Sequence, residues 1–565
     1  MKNLLLFSTI LGFSTTFAFA VQTYRPSNDA KKAAQTIQAD TILGPTRFLS
    51  SDLLEGRAPA SNGDHLAQQY IASQFEAEGL KPAGPNGSWF QEFDLVGVTS
   101  GAPKIIHFQN KSKTLSLKYS TDYMGVSGIQ SETASVKSAE LVFVGYGIVA
   151  PEYGWDDFKD VDVRGKILLM MNNDPSSDDK LFAGKTRLYY GRWTYKYEIA
   201  AAKGAAGAII IHTHESAGYP WQVVQTSWAG EQFELPHEGG PTTVFNAWAT
   251  EDSVKKLVAL SGKNLDELRA AAEKKDFRPV PLGTTFSVQM KNVLHKTKTA
   301  NVLGILTGSD PELSKEAVVY MAHHDHLGKK AGAKPGEDTI YNGALDNASG
   351  VGALLALVRA YNSLSERPRR SILFAAVGAE EAGTLGSEYL AHRPVIEPGR
   401  MAAVINMDGI SIWGAASDLT MVGKGKSTLD TEVESIAKMQ GRIVKPDQFP
   451  DRGYYYRSDH FSLAKIGVPA AYFDAGIDIL GKPKGWGKEQ IEKWEDTHYH
   501  QPSDEVRPDW DLSGAVQDIQ LNFYLGYEVA QAKEMPRWNP NDEFEAVRLE
   551  ALKRIATQKG TTVHK

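Results

Sequence analysis

The stretch MAHHDHLG, Met321 to Gly328, sets His323, His324, Asp325 and His326 side by side. Four more clusters follow in order: ALDNASG with Asp346, AEEAG with Glu380 and Glu381, NMD with Asp408, and EDTHYHQPSDE with His500. The chain has no cysteine, which excludes disulfides and thiol nucleophiles and leaves histidine and carboxylates as the strong metal ligands. Two consecutive carboxylates at a buried strand end repel each other unless a cation or a shared proton compensates them. A metal site divides their labour well: one side chain ligates while its neighbour faces a metal-bound water as base. Asp346 and Asp408 taken singly read equally well as helix caps or turn residues. Their gathering with a histidine at neighbouring strand ends is what points to metal chemistry.

Within the opening stretch, strand alternation turns His323 and Asp325 one way and His324 and His326 the other. A His-x-His arm from 324 and 326 and a His-x-Asp arm from 323 and 325 are both compatible with zinc, and spacing does not choose between them. The H-x-H-x-D-H pattern of metallo-β-lactamase-type hydrolases fails, because its first histidine falls on Met321.

The clusters end or follow apolar runs, AVVYMA, SILFAAV and AAVINMD, that alternate with amphipathic helices. The pattern predicts an α/β domain with a mixed, largely parallel sheet sandwiched by helices and ligands at the carboxyl ends of its strands. Upstream, residues 41–94 read as helix, loop, helix. Between about 131 and 245, short β-type runs separated by Gly, Pro and Asp turns read as a mostly-β inserted domain, followed by two surface helices. The organisation predicted is a signal segment over 1–20, an N-terminal part of the catalytic domain over 21–130, the insert and connecting helices over 131–280, the catalytic domain over 281–550 and a frayed polar tail over 551–565.

A net charge of −7 with 42% apolar and 23% charged residues is ordinary globular composition with no basic footprint for nucleic acid. Peptides or small molecules are the expected partners. The first twenty residues, with one lysine, an apolar centre and Ala18-Phe19-Ala20, have the layout of a cleavable export signal. No later run reaches about eighteen uninterrupted apolar residues, so no stable membrane span is expected after cleavage, and the destination predicted is the periplasm or the exterior. Oligomeric state is not legible.

The five clusters, in this order, resemble the clan MH zinc peptidases that include aminopeptidase Y, bacterial leucyl aminopeptidase and glutamate carboxypeptidase. The resemblance covers Val280 to Tyr527 and the N-terminal helices, and the insert resembles a protease-associated domain. It implies two zinc ions. Asp346 would bridge them, one ion adding Glu381 and His500 and the other His323 and Asp408. Glu380 would be the general base, working on a hydroxide held between the ions, and Asp325 would orient His323. The activity implied is that of a secreted or periplasmic di-zinc aminopeptidase. Glutaminyl-peptide cyclase-like and carboxypeptidase activities exist on the same fold, as do non-enzymatic receptor-like relatives. Where relatives usually read Asp-Asp-Asn, this chain reads Leu345-Asp346-Asn347, and because the missing carboxylate is not the bridging one the metals should survive. The segment Gly453 to Phe473 resembles the loop that shapes the substrate pocket, making Tyr456, Arg457 and Asp459 candidate substrate contacts. His324 and His326 then become neighbours of the site. A further His-x-His pair, His212 and His214, has no carboxylate cluster beside it and reads as a polar strand end.

Overall fold

The computed structural model describes residues 23–178, 181–330 and 334–561, so the export-signal segment 1–20 lies outside the described residues. Helices α1 (Ala39–Leu49) and α2 (Asn62–Ala77) precede strand β1 (Phe90–Thr99). Next come β2 (Ile105–Asn110), β3 (Lys113–Lys118), β4 (Tyr123–Ser127), β5 (Thr133–Phe143), β6 (Ile167–Met171), α3 (Trp193–Ala202) and β7 (Gly207–His212). The middle of the chain continues with β8 (Glu231–Glu234), β9 (Phe245–Thr250), α4 (Glu251–Leu260), α5 (Leu265–Ala272) and β10 (Val280–Lys291). The C-terminal half contains β11 (Val293–Leu306), β12 (Ala317–His323), α6 (Ser349–Asn362), β13 (Ser371–Val377), α7 (Leu385–His392) and β14 (Met401–Asn406). It closes with β15 (Asp418–Val422), β16 (Ile443–Pro446), β17 (Ala470–Asp474), α8 (Ser513–Gln531) and α9 (Glu545–Thr561).

The larger sheet runs β8-β1-β11-β13-β12-β14-β17-β15-β16, with Lys81–Pro82 also bridged to β11. Its centre, β13-β12-β14-β17, is parallel, and antiparallel pairs flank it on both sides. Alternation along β12 and β13 is complete. Val318, Tyr320, Ile372 and Phe374 join the core beneath α1, α2, α6 and α8, whereas Val319, Met321, Leu373 and Ala375 face the core shared with Phe461 and Leu463. A sheet buried on both faces needs such continuous apolar strands, which is why these runs carry no alternation of polarity. Phe374 is wholly buried and stacks on Tyr320 at 5.7 Å; truncating it would cost about 3–5 kcal/mol. Gly526 lets α8 approach: a Cβ there would lie 1.9 Å from the Tyr320 hydroxyl.

The second sheet runs β3-β2-β10-β5-β6-β7-β9-β4 and is wrapped by α3, α4 and α5. Its strands begin at Ile105, ahead of residue 131, because β2 pairs with β10, β3 with β2 and β4 with β9, and none of them joins the larger sheet. The apolar faces of α4 and α5 (Val254, Leu257, Leu265 and Leu268) are buried in this unit's core. β8, although it lies within the insert's span, crosses back to pair with β1. The chain end also differs from the frayed tail expected from 551: α9 continues to Thr561, with Ile555 buried and Glu550 paired with Arg554 one turn on. Among the described residues no helix is long and apolar enough to cross a membrane.

Candidate metal centre

The parallel centre of the sheet delivers three of the clusters to one rim. His323 is the last residue of β12, Glu380 and Glu381 follow β13 through Gly378 and Ala379, and Asp408 lies two residues beyond β14. Asp346 comes from the irregular turn that opens α6, and His500 from the loop before α8. These are neighbouring strand ends, where α/β sheets build their sites.

His323 Nε2 lies 3.2 Å from Asp346 Oδ1 and 3.2 Å from Asp408 Oδ1. His500 Nε2 lies 3.3 Å from Asp346 Oδ2 and 3.2 Å from Glu381 Oε2. Each oxygen of Asp346 thus faces a different histidine-carboxylate pair. Ligands bound tetrahedrally to zinc at about 2.0–2.1 Å stand about 3.3 Å from one another, and all four separations match that edge. His500 Nε2 is buried and makes no hydrogen bond, although two carboxylate oxygens are within reach; a nitrogen aimed between two acceptors fits a cation. The residues present therefore fit a pair of zinc ions.

The charges agree with the geometry. Burial would raise Asp346, but His323 and His500 outweigh it and hold its carboxyl well below the ordinary range. Glu381 is likewise held at about 2 against burial, by His500 and His326. Glu380 goes the other way: burial, with Asp408, Asp459 and Glu381 adding to it, pushes its carboxyl well above the usual value despite His323. Two adjacent glutamates with opposite shifts are suited to different tasks.

A shell of hydrogen bonds fixes the turns. Asp325 accepts from the N–H groups of Glu380 at 3.0 Å and Glu381 at 3.3 Å. Its expected bond to His323 is absent, since Asp325 Oδ1 stands 3.8 Å from Nδ1, an ion-pair distance. Ser458 donates to Asp408 Oδ2 at 2.6 Å, and Asn406 donates to Ser458 at 2.7 Å. Asp504 accepts from the N–H groups of Leu345 and Asp346. The Leu345 side chain is buried in the apolar core.

Two supports were not visible in the sequence. Arg57 is buried and donates to the carbonyls of His324, Leu49, Asn342 and Gly343, bracing the loops that carry His326 and Asp346. Asp64 on α2 receives His324 Nε2 at 2.9 Å. Neither lies near a chemistry-bearing motif, so no local signal marked it.

Other expectations need correction. Strand alternation does not reach His326, because β12 ends at His323; His326 turns to the acidic side and bonds Glu381. Tyr456 is packed among Tyr455 and Phe461 with its hydroxyl on Glu543 at 2.7 Å, so it offers no face to substrate. Asp459 is fully buried, pushed up to about 7 by burial with Asp408 and Asp325 adding to it, and it too is withdrawn from substrate. Arg457 alone of the three is open to solvent, its guanidinium over Tyr454 at 5.4 Å and electrostatically coupled to Tyr499, whose own neighbours include Asp346 and Glu380. His212 bonds the Tyr219 carbonyl, and among the described residues no carboxylate cluster joins it.

Residues 301–524 match the model described as Peptidase family M28, so the family resemblance holds over the stretch that carries the centre. Aminopeptidase NAALADL1 of Mus musculus is 32% identical over 164 residues, 28% of this chain and 19% of that one. Aminopeptidase YwaD of Bacillus subtilis (strain 168) is 26% identical over 261 residues, 45% of this chain and 50% of that one. The chain thus spans about a fifth to a half of the length of these curated relatives. Among solved structures, an aminopeptidase from Aneurinibacillus sp. strain AM-1 is 19% identical with a TM-score of 0.47, over 89% of this chain and 96% of that one.

Proposed function

We propose that the protein is an exported di-zinc metallo-aminopeptidase that removes N-terminal residues from peptides. The observation that carries this reading is Asp346, whose two oxygens each face a separate histidine-carboxylate pair at 3.2–3.3 Å. In this reading His323 and Asp408 would hold one ion and Glu381 and His500 the other, with Asp346 offering one oxygen to each. Bound there, zinc would supply Lewis-acid polarisation of a scissile carbonyl and a lowered pKa for water. Glu380 Oε2, 4.0 Å from His323 Nε2, takes the proton from the attacking water and returns it to the leaving amine. Its raised pKa suits a base that must also act as an acid near neutrality. Asp325 keeps that carboxylate aimed by holding the two glutamate N–H groups. Export rests on the N-terminal segment of the sequence.

One observation favours a second reading. Among the described residues no carboxylate lies within 4.0 Å of the Arg457 guanidinium, which would suit the terminal carboxylate of a carboxypeptidase substrate. A panel of free and N-acetylated peptides on zinc-loaded protein separates the two. Aminopeptidase action predicts release of the first residue from free peptides alone; cleavage of blocked peptides from the C-terminus would overturn it.

A further inference from the structure

His326 is absent from the ligand set proposed above, yet it is bound more closely to the centre than any residue in that set. Its Nδ1 lies 2.6 Å from Glu381 Oε1, and its side chain is fully buried. Two ligands on one tetrahedral zinc cannot approach so closely, because bonds of about 2.0–2.1 Å hold them about 3.3 Å apart. The contact is therefore a hydrogen bond, with Nδ1–H donating to the carboxylate. That assignment leaves Nε2 as a bare lone pair, which agrees with its having no partner in a buried position.

The ring also sits in a fitted place. Gly343, at φ +56, underlies it, and a Cβ there would come within 2.6 Å of the His326 Cγ and Cδ2 atoms. His326 N–H donates to the Arg57 carbonyl at 3.2 Å, which fixes the backbone from the other side. Its edge meets the His500 ring with centroids 5.7 Å apart.

We infer that His326 is a positioning residue that selects which oxygen of Glu381 serves the metal. With Oε1 held by His326, only Oε2 faces His500, at 3.2 Å, and Glu381 is confined to one-oxygen ligation. Without that donor the carboxylate is free to rotate about its last bond or to ligate through both oxygens. Hydrogen-bonded partners of metal ligands typically change affinity by about 10–100-fold when removed. This inference rests on the reading that Glu381 is a ligand.

The test is a chelator-competition titration of zinc on the full chain, read as affinity and not as activity, for wild type, His326→Leu, His326→Asn and His500→Ala. Asparagine can present an N–H near the position of Nδ1; leucine cannot. The expected result is two ions on wild type and His326→Asn. On His326→Leu one ion binds about 10–100-fold more weakly and the other is unchanged, with the circular dichroism of the metal-free protein preserved. Wild-type affinities in His326→Leu would overturn the inference alone. So would loss of one ion from both His326 variants to the extent seen in His500→Ala, which would make His326 a ligand. Wild type holding no ion that His500→Ala removes would overturn the ligand reading and this inference with it.

Discussion

Asp64 Oδ1 and His324 Nε2 lie 2.9 Å apart, and both side chains are fully buried. Asp64 also accepts from Ala60 N–H and the Thr299 hydroxyl, so His324 completes a polar link from α2 to the end of β12. His323 faces the opposite way, to Asp346 and Asp408. The two adjacent histidines should therefore fail differently. His323→Ala should lose one zinc ion with little change in the melting temperature of the metal-free protein. His324→Ala should keep both ions but leave Asp64 short of a partner, at a cost of about 3–5 kcal/mol, read by chemical denaturation. Zinc loss without destabilisation in His324→Ala would contradict this division.

Glu380 is assigned proton transfer, not ligation. Glu380→Gln should retain the zinc content of wild type while turnover falls by about 100- to 10,000-fold, measured as kcat on a free peptide beside metal analysis of the same sample. Loss of metal together with activity would move Glu380 into the ligand set.

Arg57 satisfies four backbone carbonyls that have no access to water. Burial draws its pKa down to about 10, against Asp325 and Asp504, so it stays charged at neutral pH. Arg57→Leu should destabilise the protein by several kcal/mol, on the order of 3 or more, and weaken zinc binding because the loops bearing His326 and Asp346 lose their brace. Urea denaturation with parallel zinc titration checks both effects; wild-type stability would refute the bracing role.

Asp157 lies in the inserted unit, far along the chain from the centre, and accepts from Ile148 N–H and Trp155 Nε1. Burial pushes its carboxyl up to about 6, even with those donors and Lys196 opposing. A folded-state carboxyl above its unfolded value of 3.8 binds its proton more tightly in the folded chain. Its stabilising share is therefore complete below pH 3.8 and declines as pH rises through about 6, by about 3 kcal/mol in all. The stability difference between wild type and Asp157→Asn should shift by that order between pH 4 and pH 7. A pH-independent difference would remove Asp157 as the source.

What could be read in advance follows from locality. His323, Asp346, Glu380, Glu381, Asp408 and His500 sit in short motifs at strand ends, and both the composition and the order of those motifs survive in a linear reading. Their supports do not. Arg57 and Asp64 reach the centre across more than 250 residues of chain, and nothing beside them in the sequence announces it. Strand alternation is dependable only while the strand lasts: carried past His323 it sets His326 opposite His323, whereas His326 turns to Glu381. Tyr456 and Asp459 are both buried, a property that residue type and loop position do not carry. The start of the second sheet lies outside a local reading because β2 and β4 find partners more than a hundred residues later, at β10 and β9, and β3 joins as the hairpin partner of β2.

The bridging role of Asp346 is tested most directly by native mass spectrometry of zinc content in wild type, His323→Ala, His500→Ala and Asp346→Ala. The account predicts two ions per wild-type chain, one in each histidine variant, and loss of both, or strong weakening of both, in the aspartate variant. A wild-type chain with a single ion, or an Asp346→Ala chain that still binds two as tightly, would contradict it.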